Sequence, residues 1–165
     1  MSDMETETEG PTPNPEGALL QSGTGAGPER SDPVAPKFKL ALSLPGRDIG
    51  GEWLSRLTDE APAYRSYCST RNRPQEFTTY EQGGRTYLQD QDGLWLSHEG
   101  LFDLLYMSYW NNAVAWRIEG RRLLRESDNA PLTWRYKRWP LAGERNWLQA
   151  GGLQENILDV QKVEL

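Results

Sequence analysis

Few side chains in this sequence have the chemistry for catalysis, and the first to consider are a single histidine and a single cysteine. His98 lies where the sequence predicts a helix to begin, a position that disfavours an imidazolium ion and suits a neutral acid–base group. Cys68 has Arg65, Arg71 and Arg73 nearby in the chain, and cationic neighbours lower the pKa of a thiol. Neither residue has a second catalytic side chain at a known spacing. We therefore predict a surface or capping role for His98 and a buried, apolar role for Cys68.

Paired carboxylates and glycine-rich loops are the next candidates for a reactive site. Asp90 and Asp92 flank a predicted hairpin turn, as do Glu126 and Asp128, and Asp is favoured there because its side chain bonds the local backbone. The stretch 45–51 precedes a predicted helix but lacks the spacing of a phosphate-binding fingerprint. One histidine, one cysteine and scattered acids form no metal-ligand cluster. We expect no metal and no cofactor, and no catalytic arrangement is indicated.

Molecular recognition is better indicated, by a basic and aromatic region at 111–150. This region has eight bases against four acids and contains four of the seven tryptophans. Strand alternation places most bases on one face and the aromatic side chains on the other. Arginine and aromatic residues dominate the hot spots of protein interfaces, so a protein partner is the leading interpretation. The predicted partner-binding face consists of Arg117, Arg121, Arg122, Arg125, Arg135, Lys137 and Trp139.

Two alternative ligands stay open. Inward-facing aromatic side chains could line a cavity for a flat or apolar small molecule. The candidates for that cavity are Trp95, Trp116, Trp134 and Tyr136. The basic region could instead bind single-stranded nucleic acid, in competition with an acidic N-terminal segment. Binders of single strands place aromatic and cationic side chains on one exposed face, whereas the alternation here separates them, so nucleic acid is the less favoured partner.

The net negative charge of the chain comes from its N-terminal segment. The 165 residues carry a net charge of −6, and residues 1–36 alone contain seven acids and one base. The same segment is rich in Pro, Gly, Ser and Thr, has no aromatic residue, and contains Leu19-Leu20 as its only apolar pair. Such a segment buries too little apolar surface to offset the entropy of ordering, so we predict that residues 1–36 are disordered.

The cellular setting follows from what the sequence lacks. A single cysteine excludes an intramolecular disulfide. The N-terminus has no basic and apolar leader, and the longest apolar segment, 101–110, is too short and too interrupted to cross a bilayer. We therefore expect a soluble cytoplasmic protein with no membrane partner.

The elements that position these residues can be predicted from periodicity and turn chemistry. Alternation in 37–44 predicts a strand, and Trp53, Leu54 and Leu57 have helical spacing. Gly-Gly, Asp-Gly and Asp-Asn turns divide 75–97 and 113–139 into three strands each. Between them, Ser97 is predicted to cap the main helix, which ends at Asn111-Asn112.

These elements predict an α+β fold with three parts. Residues 1–36 form the disordered acidic tail. Residues 37–150 form one β-rich domain, in which an antiparallel sheet of two three-stranded meanders, with a half-open barrel as a variant, is covered by the main helix. Residues 151–165 are a C-terminal segment, for which a helix, an edge strand and a partner-ordered tail all stay open.

Overall fold

The computed structural model describes residues 36–58, 64–139 and 143–165. The predicted disordered segment 1–36 lies outside these ranges except for Pro36. The side chains of residues 138, 139, 143 and 144 also lie outside the described part of the chain.

The described residues form one antiparallel sheet of twelve strands. The strands are β1 (Phe38–Ser43), β2 (Trp53–Arg56), β3 (Cys68–Arg71), β4 (Phe77–Gln82), β5 (Arg85–Asp90), β6 (Trp95–His98), β7 (Leu105–Ser108), β8 (Trp116–Glu119), β9 (Arg122–Arg125), β10 (Ala130–Trp139), β11 (Gly143–Ala150) and β12 (Asp159–Glu164). Their order across the sheet is β7-β6-β5-β4-β1-β2-β3-β11-β10-β9-β8, and β12 pairs with β1. Short 3-10 turns at Trp110–Asn112 and Gln154–Asn156 complete the regular structure.

The sheet branches at β1. Phe38 pairs with Phe77 of β4, while Ala41 pairs with Trp53 of β2. β12 pairs with β1 along all six of its residues. The first and last strands of the described chain therefore hold each other in the middle of the sheet.

Two isolated bridges bring the edge strand β7 back towards the middle of the sheet. Tyr67, just before β3, pairs with Tyr106, and Leu104, just before β7, pairs with Gln149 of β11. Because of the second bridge, the connection between β6 and β7 lies beside β11.

The predicted hairpins form, at turns that need a positive φ. Gly83 and Gly84 connect β4 to β5 with φ values of 63° and 76°, and Gly120 connects β8 to β9 at 62°. Asn129 adopts a φ of 61° in the turn before β10. Only residues that tolerate the left-handed backbone conformation suit these positions. The turns can therefore be recognised from their residue types in the sequence.

Apolar side chains pack on both faces of the sheet. The main core contains buried residues from most strands, including Phe38, Leu54 and Trp116. A second, smaller cluster on the opposite face consists of Leu57, Tyr67, Leu104, Tyr106 and Trp147. The sheet is therefore covered on both faces around β3, β7 and β11.

The predicted α+β class is wrong, because residues 97–112 do not form the predicted main helix and the described residues contain no α-helix. The segment folds instead as the end of β6, a loop, β7 and a 3-10 turn. Leu105 and Met107 of β7 pack in the main core, whereas Tyr106 packs in the second cluster. A short run buried on both faces has no period of two, so its sequence resembles a buried helix.

Two further predictions about the elements need correction. Residues 53–56 form β2 rather than a helix. Each predicted three-stranded meander has a fourth strand, β7 in the first and β11 in the second, and both belong to one open, branched sheet. Of the three forms left open for the C-terminal segment, residues 159–164 adopt the strand, β12, which pairs with β1.

Candidate interaction surface

The predicted partner-binding arginines lie on two separate parts of the sheet. Arg117, Arg121, Arg122 and Arg125 belong to the hairpin of β8 and β9 or its turn. Arg135, Lys137 and Trp139 belong to β10. The side chains of Arg135 and Lys137 are exposed, and that of Trp139 lies outside the described residues.

The arginines of the β8–β9 hairpin have acidic partners in the same protein. Arg121 and Arg122 both face Asp159 of β12, at 3.6 Å and 2.5 Å. Arg117 lies 3.6 Å from Glu119. These two carboxylates offset part of the positive charge of the predicted face.

Arg125 is buried and joins two connections. Its guanidinium donates to both carboxylate oxygens of Asp128, at 2.9 Å and 2.7 Å, and to Asp103 at 3.2 Å. The side-chain hydrogen bond from Arg125 lowers the pKa of Asp128 to about 2. Arg125 therefore ties the turn before β10 to the loop between β6 and β7, which is a structural role.

Three of the four predicted cavity residues are buried side chains. Trp95 and Trp116 are each 1% exposed, and Trp134 is 8% exposed. The Trp116 indole donates to the Leu96 carbonyl at 3.0 Å, and Trp95 packs edge-on against Trp110. Tyr136, by contrast, is exposed. Of the four, Trp134 lines the groove described below.

The two candidate reactive residues have different environments. Cys68 is fully buried in the main core, and burial raises the pKa of its thiol. Burial, followed by the charge of Arg125, lowers the pKa of His98. The His98 imidazole lies 3.4 Å from the Glu99 carbonyl and 3.7 Å from the Asp103 carboxylate. The burial of Cys68 therefore disfavours the thiolate that a nucleophilic cysteine needs.

A buried polar cluster lies beneath the turn between β5 and β6. Asp90 accepts the backbone N–H groups of Asp92 and Leu94, both at 2.9 Å, and the Gln75 amide at 2.6 Å. The Arg56 Nε lies 3.8 Å away. Burial raises the pKa of the Asp90 carboxyl to about 6, although these donors act against it. The arrangement closes a turn and presents no reactive group to solvent.

The loop at 99–104 is the most distinctive exposed feature of the described chain. Leu101 is 77% exposed and Phe102 is 44% exposed. Monomeric proteins tolerate single exposed apolar side chains, but adjacent ones on an ordered loop are typical of binding sites.

Backbone hydrogen bonds hold this loop in one conformation. The Glu99 carboxylate accepts the N–H groups of Leu101 at 2.9 Å, Phe102 at 2.9 Å and Leu104 at 3.1 Å. Asp103, with a φ of 58°, reverses the chain. Its carbonyl accepts the Ala150 N–H at 2.9 Å, which fixes the loop to β11.

A groove of about 310 Å³ lies beside the loop. Its lining includes Thr133, Trp134, Arg135, Gln149, Gly152, Leu153 and Asn156. Gln149 belongs to both features, because its amide also donates to the Phe102 carbonyl at 2.8 Å. We call the loop 99–104 and this groove together the loop–groove surface.

The groove combines an apolar rim with polar groups. Leu153 is 61% exposed at the groove. Asn156 Oδ1 is shielded from solvent and accepts no hydrogen bond from the described residues. Gly152 is required here, because its φ is 107° and a Cβ would lie 3.0 Å from Thr133 Oγ1. The groove therefore offers apolar contact together with an acceptor that lacks a donor.

The loop–groove surface could not be predicted from the sequence. Leu101 and Phe102 fall within the segment predicted to form the main helix, and no pattern in the sequence marks Gln149 or Leu153. Gly100, unfavourable inside a helix, is the one local signal against that helix. The bridge from Leu104 to Gln149 joins residues 45 apart in the chain, and no local pattern encodes it.

Neither a metal cluster nor a similar protein points to a function. The described residues contain no group of three or more potential metal ligands. They also contain no helix long and apolar enough to span a membrane. No protein-family model matches the chain, and neither curated proteins nor solved structures include a significant match.

Proposed function

We propose that this protein is a non-catalytic interaction module that binds a protein partner through the loop–groove surface. The observation that carries the proposal is the pair Leu101 and Phe102, which are exposed on a loop whose backbone is fixed by Glu99 and β11. Assembly factors, adaptors and inhibitors are the classes of protein that such a surface suits.

The physical reason is the cost of ordering a binding site. Association loses affinity when loops and side chains must be immobilised, and a loop that is already fixed avoids much of that loss. The N–H groups of Leu101, Phe102 and Leu104 and the carbonyl of Asp103 are satisfied within the protein. The apolar side chains remain available for burial against a partner, which stabilises a complex.

The arginine face contributes in part to this surface. Arg135 lines the groove, and Lys137 lies on the same side of β10 by strand alternation. Arg121 and Arg122 already face Asp159, so a partner would have to replace existing ion pairs to use them. We therefore centre the proposed interface on the loop and groove, with Arg135 and Lys137 at its margin.

The two alternative functions have weaker support. A nucleic-acid-binding site needs several basic side chains without acidic partners near exposed aromatic rings. Arg117, Arg122 and Arg125, by contrast, have carboxylate partners. A small-molecule cavity lined by tryptophan needs open space around the rings, whereas Trp95 and Trp116 are packed in the interior.

The test is affinity capture of the full-length protein from cells that express it, followed by binding measurements with any stoichiometric partner. Leu101→Ser with Phe102→Ser removes the two exposed apolar side chains. We expect the partner's Kd to rise roughly 30-fold, the effect of losing a hot spot worth about 2 kcal/mol.

The matched control is Leu165→Ser, because Leu165 is another exposed leucine, 61% exposed at the C-terminus. It should leave the Kd unchanged. A partner that binds all three proteins equally, or the absence of any stoichiometric partner, would refute the proposed interface.

A further inference from the structure

We propose that the protein forms a symmetric dimer, in which the outer edge of β12 pairs antiparallel with the same edge of a second copy. The paired segment is 161–165, and Val163 lies on the two-fold axis opposite Val163 of the second copy. This segment shares no residue with the loop–groove surface, so the inference does not rest on the proposed function.

Hydrogen bonding to β1 fixes which backbone groups of β12 point outward. The Leu165 N–H donates to the Lys37 carbonyl at 3.1 Å, as a continuation of the β1–β12 register. In an antiparallel pair, residues bonded in this way alternate with residues whose N–H and C=O groups point to the opposite edge. Lys162 and Glu164 therefore direct their backbone groups away from β1.

The outer edge of β12 is covered at its start and open at its end. The Leu158 N–H donates to the Leu132 carbonyl at 3.0 Å, and the Val160 N–H donates to the Arg121 carbonyl at 2.9 Å. Beyond Val160, no strand of the described chain pairs with this edge. The exposed side chains there are those of Gln161, Lys162, Glu164 and Leu165. An open strand edge of this kind is a template for a strand of another chain.

The charges along the open edge select a second copy as its occupant. Lysine on an edge strand opposes pairing with most other strands. Because outward-pointing residues must face each other, two identical edges can pair with Lys162 opposite Lys162, Glu164 opposite Glu164, or Lys162 opposite Glu164. The first two registers place like charges directly opposite, which is destabilising, whereas the third forms two pairs of opposite charge.

The third register also fits the limits of the open edge. It places the half-buried Val163 side chains of the two copies against each other. It leaves Val160, whose N–H is already bonded to Arg121, outside the paired segment. Lys162 Nζ lies 4.6 Å from the centroid of the Phe38 ring, and neither Lys162 nor Glu164 forms an ion pair with another described residue. The dimer therefore replaces no existing ion pair.

The direct test is disulfide trapping in the full-length chain. Val163→Cys places two thiols across the axis with about 4.5 Å between their Cα atoms, which a disulfide can bridge. Gln161→Cys is the matched control, because residue 161 faces residue 165 and its two copies are about 13 Å apart. Under mild oxidation, we expect at least about 10-fold more covalent dimer from Val163→Cys than from Gln161→Cys. Cys68 is buried and present in both proteins.

Hydrogen exchange of the native protein tests the pairing without any substitution. The Lys162 and Glu164 amides should become protected as the protein concentration rises. Their exchange should be about 10-fold slower when nine-tenths of the chains are paired, because only the unpaired chains then exchange. The Gln161 and Val163 amides, which lie on the β1 side of the strand, should be protected at every concentration.

Exchange of charges tests the register. Lys162→Glu or Glu164→Lys alone places like charges opposite each other and should weaken self-association about 10-fold. A mixture of the two single variants restores opposite charges between unlike copies, so it should associate as tightly as the native protein. Sedimentation equilibrium provides the dissociation constants.

Four results would overturn the inference. Val163→Cys and Gln161→Cys could give equal yields of covalent dimer. The Lys162 and Glu164 amides could stay unprotected at about 1 mM protein, or be protected to the same extent at every concentration, which would show that one chain covers its own edge. The mixture of single variants could associate no more tightly than either variant alone. None of these results bears on Leu101 and Phe102, so the proposed interface is tested separately.

Discussion

At the scale of single residues, the most informative group is Asp90. Its carboxyl is buried, and its hydrogen-bond donors only partly offset the loss of hydration, so the pKa lies at about 6. The pKa of an unfolded aspartate is about 3.9, so folding favours the protonated form. Stability contributed by this group is greatest below the unfolded pKa and is lost as the pH rises through about 6.

This sign leads to a prediction for Asp90→Asn. From about pH 7.5 to about pH 5, we expect Asp90 to add about 1 kcal/mol to the free energy of unfolding. The asparagine variant should lack that increment, and its side-chain amide can donate to Gln75 Oε1, which has no hydrogen-bond partner among the described residues, once the Gln75 amide rotates.

Chemical denaturation of both proteins at the two pH values provides the measurement. The difference between the two proteins isolates Asp90 from His98, whose lowered pKa acts in the opposite direction because its stability is lost as the pH falls. Equal pH dependence of the two proteins would show that Asp90 is ionised in the fold at neutral pH without penalty.

At the scale of elements, the loop 99–104 shows how one carboxylate can replace a regular turn. Glu99 accepts three backbone N–H groups that would otherwise face solvent without partners. The position of the exposed pair Leu101 and Phe102 thus depends on Glu99, which would not itself contact a partner. Side chains that only position others are the ones that sequence reasoning overlooks most easily.

The loop therefore makes a graded prediction. Glu99→Gln keeps one acceptor oxygen and should weaken part of the network, while Glu99→Ala removes all of it. We expect hydrogen exchange at the Leu101, Phe102 and Leu104 amides to be slowest in the native protein, faster in Glu99→Gln and fastest in Glu99→Ala.

Glu155→Ala is the control, because Glu155 is an exposed acid in the 3-10 turn Gln154–Asn156, outside the loop. It should leave exchange in 99–104 unaltered. If Glu99→Ala also left it unaltered, the bond from Asp103 to Ala150 would be sufficient to fix the loop.

At the scale of the whole molecule, β12 and β1 join the two ends of the described chain along six residue pairs. Val160 is buried opposite Leu42, and the Leu165 N–H donates to the Lys37 carbonyl at 3.1 Å. One edge of β1 therefore depends on β12 for its hydrogen bonds.

Removal of residues 159–165 should consequently unfold the domain rather than loosen one edge. β1 is central to the sheet, and an open edge there would leave buried backbone groups without partners, each costing about 1–3 kcal/mol. We expect the near-ultraviolet circular dichroism of the tryptophans and the cooperative denaturation transition to be lost. Leu165→Ser should keep both, and a cooperative transition with an unaltered m-value in the truncated protein would contradict this role of β12.

Parts of this fold could be predicted from sequence because they are local. β1 alternates cleanly, and Gly83, Gly84 and Gly120 mark tight turns whose chemistry is specific. β7 could not be recognised, because the sheet is covered on both sides there and the alternation disappears. The loop–groove surface was equally hidden, since Phe102, Gln149 and Leu153 meet only through long-range pairing.

The pairing of β1 with β12 also has a consequence for biosynthesis. Among the described strands, β1 is translated before the others and β12 after them, roughly 120 residues later, and pairing at such separation is slow to form. At ordinary rates of translation, the interval between the synthesis of β1 and the synthesis of β12 is on the order of ten seconds. During that interval a strand with Phe38, Leu40 and Leu42 on one face has an open edge, so the nascent chain is exposed to mispairing until β12 has been synthesised.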